Sequence, residues 1–398
     1  MIEGRQIVCL SWLRWDFLRT SRYHLARILA GTNEVLFVDP PRHLWQAGTP
    51  GERLHDEGGG ILRLEPPPHL PFAGSLRFHL TTWWNQRSYA ESVECAVRQL
   101  GWKRPVLWNT CPVYYSPLVA PRIDPSVHFL HLTDSLWDYP WFRPEYETFL
   151  RKILRSADFA VGCTPEIAER LRGYGVEAHH VAHGVDVGIF EPVARGKVTP
   201  APAMEHRARP RIGFVGKAER RFDVDAVCAM AAGRGSVTIL GPRRLPWRDM
   251  CRLSRAGCVF EDEVPYEQVP SWLAGFDIAV VPYLRSGIVE PSRPLKLLEY
   301  MAAGLPVVSV DIPAARELAP HVMTANGPAE FARLVDRIWG ERGRLIEDPA
   351  VRLERVERVR SESWTRRAEE LSTLIESTGK AKRAQIGDRV SSRTGSRG

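Results

Sequence analysis

The 398-residue chain has no apolar run near the ~20 residues that a membrane-spanning helix needs. Its start, MIEGRQIVCLSW, lacks the basic stretch and apolar core of a secretory leader, so a cytoplasmic protein is expected. The seven cysteines (Cys9, Cys95, Cys111, Cys163, Cys228, Cys251 and Cys258) include no C-x-x-C pair. That argues against a zinc knuckle or a disulfide framework and for a reducing compartment. No G-x-G-x-x-G and no Walker lysine follow a strand, so neither a dinucleotide fold nor a P-loop is supported. Asp-x-Asp occurs only as Asp223-Val224-Asp225, which opens a helix and is read as capping. No metal site is expected.

What the sequence does have is an excess of positive charge, +7 in all. Residues 379–398, GKAKRAQIGDRVSSRTGSRG, carry six Lys or Arg and one Asp, a net +5 that leaves +2 on the rest. The basicity is therefore mostly that of a Ser/Gly-rich tail, read as disordered. Contact with an anionic membrane surface or RNA, or no role at all, are its alternatives. Nucleic acid is not an expected partner of the body.

Strand and helix signals alternate along the first half: QIVCLSW, SRYHLARILAG, EVLFVDPP, PVLWNT, VHFLHLTD, FAVGCT. Residues 191–209, rich in Pro and charge, read as a linker, after which the alternation restarts at RIGFVGK. Alternation calls for parallel, doubly wound α/β sheets, and the restart calls for two of them. The expected organisation is a first domain over 1–190, the linker, and a second domain over 210–345. A helix over 346–377 and a basic tail over 378–398 follow. Ligands of such sheets bind beyond the carboxyl ends of the strands, and a cleft between two such domains is the expected site.

Two loops of the second half could hold an anion. EPSRPLKLLEYMAAGLPVVSVD (290–311) reads as a helix with Ser292 as N-cap, a stop at Gly304 and a buried strand. Lys296 and Glu299 share one helix face, with a cation at the helix start and a carboxylate one turn on. An ordinary capped helix with a surface Lys–Glu pair is the alternative. RIGFVGKAERRFDVDAV ends a strand at Gly216, whose lack of a side chain lets backbone approach a diphosphate, with Lys217, Arg220 and Arg221 in the same turn.

At these segments the chain resembles a GT-B glycosyltransferase of the group 1 (family 4) type. SADFAVGCTPEIAERLRGYGVEAHHVAHGVDVGIFEP, VFEDEVPYEQVPSWLAGFDIAVVPY and PLKLLEYMAAGLPVVSVD carry the likeness. The opening LSWLRWDFLRTSRYHLARILA is similar to a subgroup acting in bacterial surface-polysaccharide assembly. The likeness covers about residues 5–377. It implies two Rossmann-like domains facing a cleft, a nucleotide-diphosphate sugar as co-substrate, no other cofactor, and retention of anomeric configuration. Glu299 matches the second Glu of the family's Glu-x7-Glu motif, which bonds the donor ribose. The first falls at Pro291, beside Glu290. Leu295 and Lys296 match positions near the diphosphate. Lys217 and Arg221 stand near the Arg and Lys that neutralise the leaving group, although Arg221-Phe222 replaces the usual Lys-Gly. His183 occupies a position usually held by Asn.

Cations and helix N–H groups can stabilise a departing nucleotide diphosphate without metal. On the acceptor side, Asp134 ends a strand and is read either as a proton acceptor or sugar-orienting group, or as a cap of the next turn. His131 lies three residues earlier. Asp16, Arg19 and Arg22 occupy the first strand-to-helix loop. Trp83, Trp84 and Arg87 begin a helix, either packed inward or resting on a membrane surface or lipid-linked acceptor. The expected acceptor is a glycan or lipid-linked surface-polysaccharide precursor, and peripheral association with the cytoplasmic face of a membrane goes with it. A natural-product glycosyltransferase, a sugar-nucleotide epimerase of the same fold and a non-enzymatic basic binding module are the alternatives.

Overall fold

In the computed structural model, Val- and Ile-rich segments form two sheets whose central strands are buried on both faces, as parallel sheets covered by helices require. The structure describes residues 1–17, 19–46, 53–71, 79–232, 235–340 and 348–394. The chain divides into two compact units, Met1–Ala182 with Trp364–Gly398, and His183–Ser363.

The first unit contains β1 (Gln6–Leu10), β2 (Glu34–Val38), β3 (Leu54–Gly58), β4 (Ile61–Leu64), β5 (Val106–Asn109), β6 (Val127–Leu132), β7 (Phe159–Gly162) and β8 (Ala178–His180). They form one sheet in the order β3-β4-β2-β1-β5-β6-β7-β8. Only β3 runs antiparallel, on β4. All six residues of β6 are buried, so both faces of the sheet centre are covered.

The second unit contains β9 (Arg211–Val215), β10 (Ser236–Leu240), β11 (Cys258–Glu261), β12 (Ile278–Val281), β13 (Val307–Val310) and β14 (Val322–Ala325). Their order is β11-β10-β9-β12-β13-β14, every pair parallel. The strand order reverses between β9 and β12, and between β1 and β5 in the first unit. Those are the switch points where doubly wound sheets open a crevice at their carboxyl ends.

Several expectations change. The segment expected as a linker packs into the second unit. Met204 is fully buried beneath Gly275, and Ala201 N–H donates to the Ser271 carbonyl at 2.8 Å. The expected terminal helix breaks into Pro349–Arg360 and Trp364–Thr394. At the break Val185 N–H takes the Glu362 carbonyl at 2.9 Å, and the unit boundary follows at Ser363/Trp364. The helix Trp364–Thr394 runs on through most of the basic tail expected as disordered, and residues 395–398 lie outside the described residues. Trp364 stacks on His24 (5.2 Å, 5°), and Lys382 pairs with Asp158 at 2.9 Å. Strands β3 and β14 and the helix Pro328–Trp339 carried weaker signals, being short or amphipathic beside stronger neighbours.

Candidate active site

The loops at the β9/β12 switch point are locked to one another by backbone. Gly216 N–H donates to the Leu240 carbonyl at 2.8 Å, Ala218 N–H to Pro242 at 3.0 Å and Leu284 N–H to Arg221 at 2.7 Å. A Cβ on Gly241 (φ +129°) would stand 2.6 Å from the Gly216 carbonyl oxygen, so glycine is required where the two strand ends meet back to back. Asp223 caps the helix Val224–Ala231 by accepting Ala226 N–H at 2.9 Å, as expected of the Asp-x-Asp segment.

The helix Leu295–Ala302 sits under this loop because the hydroxyl of Tyr300, fully buried, accepts Val215 N–H at 2.8 Å at the end of β9. Pro294 stands at the N-cap, and the Ser292 hydroxyl turns back to the Val289 carbonyl at 2.7 Å, so the expected Ser292 cap does not form. The proline's fixed φ supplies the start that a side-chain cap would otherwise provide. Gly304 ends the unit at φ +73°, as its sequence position implies.

Lys296 from the first turn reaches back to the β9 loop. Its Nζ donates to the Tyr283 hydroxyl at 2.6 Å and lies 5.2 Å from the Phe214 ring centre and 5.1 Å from that of Tyr283. A Cβ on Gly216 (φ +140°) would stand 3.2 Å from Lys296 Cε and Nζ, so glycine there leaves the ammonium its place. Arg221 lies over the other end of the arrangement, 5.1 Å from the same Tyr283 ring. One tyrosine thus gathers two cations by ring quadrupole and hydroxyl. Lys217 follows Gly216 directly. Burial pulls its ammonium below the ordinary lysine range, with Glu219 and Glu263 opposing and Arg244 and Arg221 reinforcing.

Glu299 lies one turn beyond Lys296, with the Tyr266 hydroxyl 3.4 Å from its Oε1. No ion pair within 4.0 Å joins Lys296 to Glu299, so the surface Lys–Glu pair is not what the helix builds. Burial pushes the Glu299 carboxyl up, against the field of Lys296 and the Tyr266 bond. Leu295 opens the helix, half-buried. Glu290 sits in the preceding turn, clamped bidentately by Arg285 at 2.7 and 3.0 Å, which holds its carboxyl below the usual range.

In the first unit the expected residues divide. Asp134 follows β6 and is partly exposed. Beside it Arg22, 3% exposed, donates to the hydroxyls of Thr133 (3.2 Å) and Thr20 (3.4 Å), and burial pulls its guanidinium down while Asp134 holds it up. His131 is a buried strand residue, 2% exposed and stacked on Trp108 at 6.1 Å. Its position within β6 makes it part of the sheet's packing. Asp16 is exposed and pairs with Arg14 at 3.1 Å, while Arg19 lies 5.0 Å over the Tyr23 ring. His183 is buried. Trp83 and Trp84 are 50% and 55% exposed, so the inward packing weighed for them does not occur.

Sequence reading missed Tyr283, although its place after β12, at a switch point, was a usable signal. It also missed Asp39, whose buried carboxylate after β2 accepts Trp15 N–H at 2.8 Å and meets Arg63 and Arg14 at 3.3 and 3.5 Å. That junction fixes the loop carrying Asp16.

Residues 209–341, which hold this whole cation cluster, match the family model of glycosyl transferases group 1. The chain has the GT-B fold, and its likeness to the group 1 glycosyl transferases lies in that segment. It is 23% identical over 368 residues, 84% of this chain and 89% of the other, to a Bacillus subtilis (strain 168) protein described as the teichuronic acid biosynthesis glycosyltransferase TuaH. Among solved structures it resembles sucrose-phosphate synthase from Thermosynechococcus elongatus (TM-score 0.69, 14% identity, 95% of this chain and 100% of that one). The E. coli trehalose-6-phosphate structure bound with UDP-2-fluoro glucose aligns with TM-score 0.68 at 13% identity, over 93% of this chain and 98% of that one.

Proposed function

We propose that the enzyme transfers a sugar from a nucleotide-diphosphate donor, held by the second unit, to a hydroxyl acceptor held by the first. The acceptor is a lipid-linked or surface-polysaccharide precursor, the reaction retains anomeric configuration, and neither metal nor another cofactor takes part. The observation that carries this reading is the clustering of Lys296, Arg221 and Tyr283 against the bare backbone of Gly216 at a strand-order switch point. Departure of a nucleotide diphosphate places negative charge there, and fixed cations beside an exposed backbone stabilise it without reorganising. Lys217 adds a third cation, and Glu299, with Leu295 beside it, accepts the ribose hydroxyls. Glu290 takes part in donor binding only by exchanging Arg285 for the sugar.

The name of the Bacillus subtilis relative supports a surface-polysaccharide acceptor, and the UDP-sugar bound in the E. coli neighbour supports a nucleotide sugar as donor. In the first unit Asp134 takes the acceptor's proton or orients its sugar, with the Arg22 guanidinium beside it. Asp16 and Arg19 border the acceptor, and His131 supports the strand beneath. The exposed Trp83 and Trp84, with Arg87 stacked 5.5 Å over Trp83, suit peripheral contact with a membrane surface on the cytoplasmic side. No helix among the described residues is long and apolar enough to cross a membrane.

A thermal-shift screen against nucleoside diphosphates and their sugars tests the donor half. A ligand at a hundred times its Kd stabilises by about 2.7 kcal/mol. The shift is expected for one base and is expected to shrink in Glu299→Ala and Lys296→Ala. Folded protein that shifts with no nucleotide contradicts the reading.

A further inference from the structure

At the opposite end of the first unit's sheet lies a cavity of about 120 Å³ that sugar transfer does not use. It opens at the amino ends of the adjacent strands β1, β5 and β6, floored by Val106, Val127 and Ile375. Gly379 of the terminal helix lines it, where a Cβ would come into ordinary contact with Val127 Cγ2 at 3.6 Å. Arg5, Arg104, Lys382 and Arg383 ring the opening against one carboxylate, Glu376.

Lys382 is committed to Asp158 at 2.9 Å and Arg104 to Asp124 at 3.1 Å. Arg5 and Arg383 make no ion pair within 4.0 Å among the described residues. Arg104 (φ +49°) and Asp124 (φ +41°) are the only non-glycine residues with positive φ among those described. The left-handed turn that brings Arg104 to the rim therefore costs free energy that ordinary loop residues do not.

We propose that this cavity binds a phosphomonoester group. Guanidinium forks match phosphate oxygens bidentately, and here two with no acidic partner converge with two further cations from three separate segments, as a tetrahedral anion needs. The arginines stand exposed at the rim, so an anion reaches them from solvent, and the apolar floor of Val106, Val127 and Ile375 limits how deep it sits. The volume exceeds the ~30 Å³ share of one water, so a phosphate and its first attached atoms fit. RNA is disfavoured because no aromatic side chain lines the cavity to stack a base. The basic end of the chain thereby acquires a role independent of the donor site.

The test uses the full chain. Titration with inorganic phosphate is run on Lys296→Ala, which weakens the donor site, and on the same protein with Arg5→Gln and Arg383→Gln added. Flotation with phosphatidic acid vesicles, against phosphatidylcholine vesicles, separates a lipid headgroup from a soluble phosphate. Phosphate binding in Lys296→Ala that weakens about tenfold or more when the two arginines are removed supports the site. With it, flotation competed by phosphate assigns the headgroup source, and its absence the soluble one. Ser126→Phe fills the cavity and keeps every charge, so it is expected to abolish binding as well. Circular dichroism checks that each variant is folded. Binding unchanged by the arginine pair, binding unchanged by Ser126→Phe, or binding of poly(U) without binding of phosphate would overturn the proposal.

Discussion

The two units solve the same packing problem with different side chains. In the second unit the strands carry only Phe214 and Phe260 as aromatic residues, and of thirteen tryptophans only Trp247, Trp272 and Trp339 fall there. The rest fall in the first unit, many of them in loops after strands: Trp12, Trp137 and Trp141 join Tyr139 and Phe142 in one aromatic cluster. A nucleotide diphosphate offers localised charge, and a few cations on short, locked loops suffice for it. An acceptor offers sugar faces and an apolar carrier, for which aromatic surface is the matching chemistry. On the proposed reading the second unit, with its three cations, suits the donor. The first unit, with its aromatic loops and the ion network at Asp39, suits the acceptor.

The comparison breaks first at Met204. If the 191–209 segment is part of the second unit's core, Met204→Ala costs about 2–5 kcal/mol in chemical denaturation, the range for large-to-small core changes. A free linker would tolerate it without change. Next in size, Lys296→Ala is expected to lower the transfer rate about 10²–10³-fold, the range for one preorganised donor at a developing oxyanion, and to leave Tm nearly unaltered. Tyr283→Phe keeps the ring under both cations and loses the 2.6 Å bond, so its loss of rate is expected to be smaller.

A pH series sharpens the role of Glu299. Its carboxyl is raised by burial, so nucleotide affinity that needs the ionised form should fall as pH drops, at a higher pH than an ordinary glutamate near 4.3 would give. The ligand-free protein behaves oppositely on this group alone. A raised carboxyl favours the folded state when protonated, and that contribution is lost as pH rises through its folded pKa. Binding titrations of Glu299→Gln are expected to lack the acidic limb. The smallest effect is expected at Trp83→Ala and Trp84→Ala: both rings are half-exposed, so stability should move within about 0.5 kcal/mol. Loss of vesicle co-sedimentation at unchanged Tm would separate surface contact from packing.

Much of the second unit was legible because its signals are local. Val-rich runs bounded by Gly and Pro gave β12 and β13, the Asp223 cap gave a helix start, and Gly304 gave a helix end. Lys296 and Glu299 stood out because a helix start concentrates its chemistry within one turn. The Ser292 cap was misplaced because a proline start and a serine start look alike until the hydroxyl's partner is known. Trp83 and Trp84 were ambiguous because helical spacing does not say which face meets the core.

By itself, then, the sequence determined the alternation of strands and helices, the two parallel sheets and the cationic helix start, all of which follow from propensity, period and caps within a few residues. Only tertiary structure decided that Tyr283 would gather Lys296 and Arg221, that Met204 would turn a linker into core, that His131 would be packed away, and that the basic end would continue a helix beside β6. Each of those depends on which residues distant in sequence come within a few ångströms, and local periodicity carries no record of that.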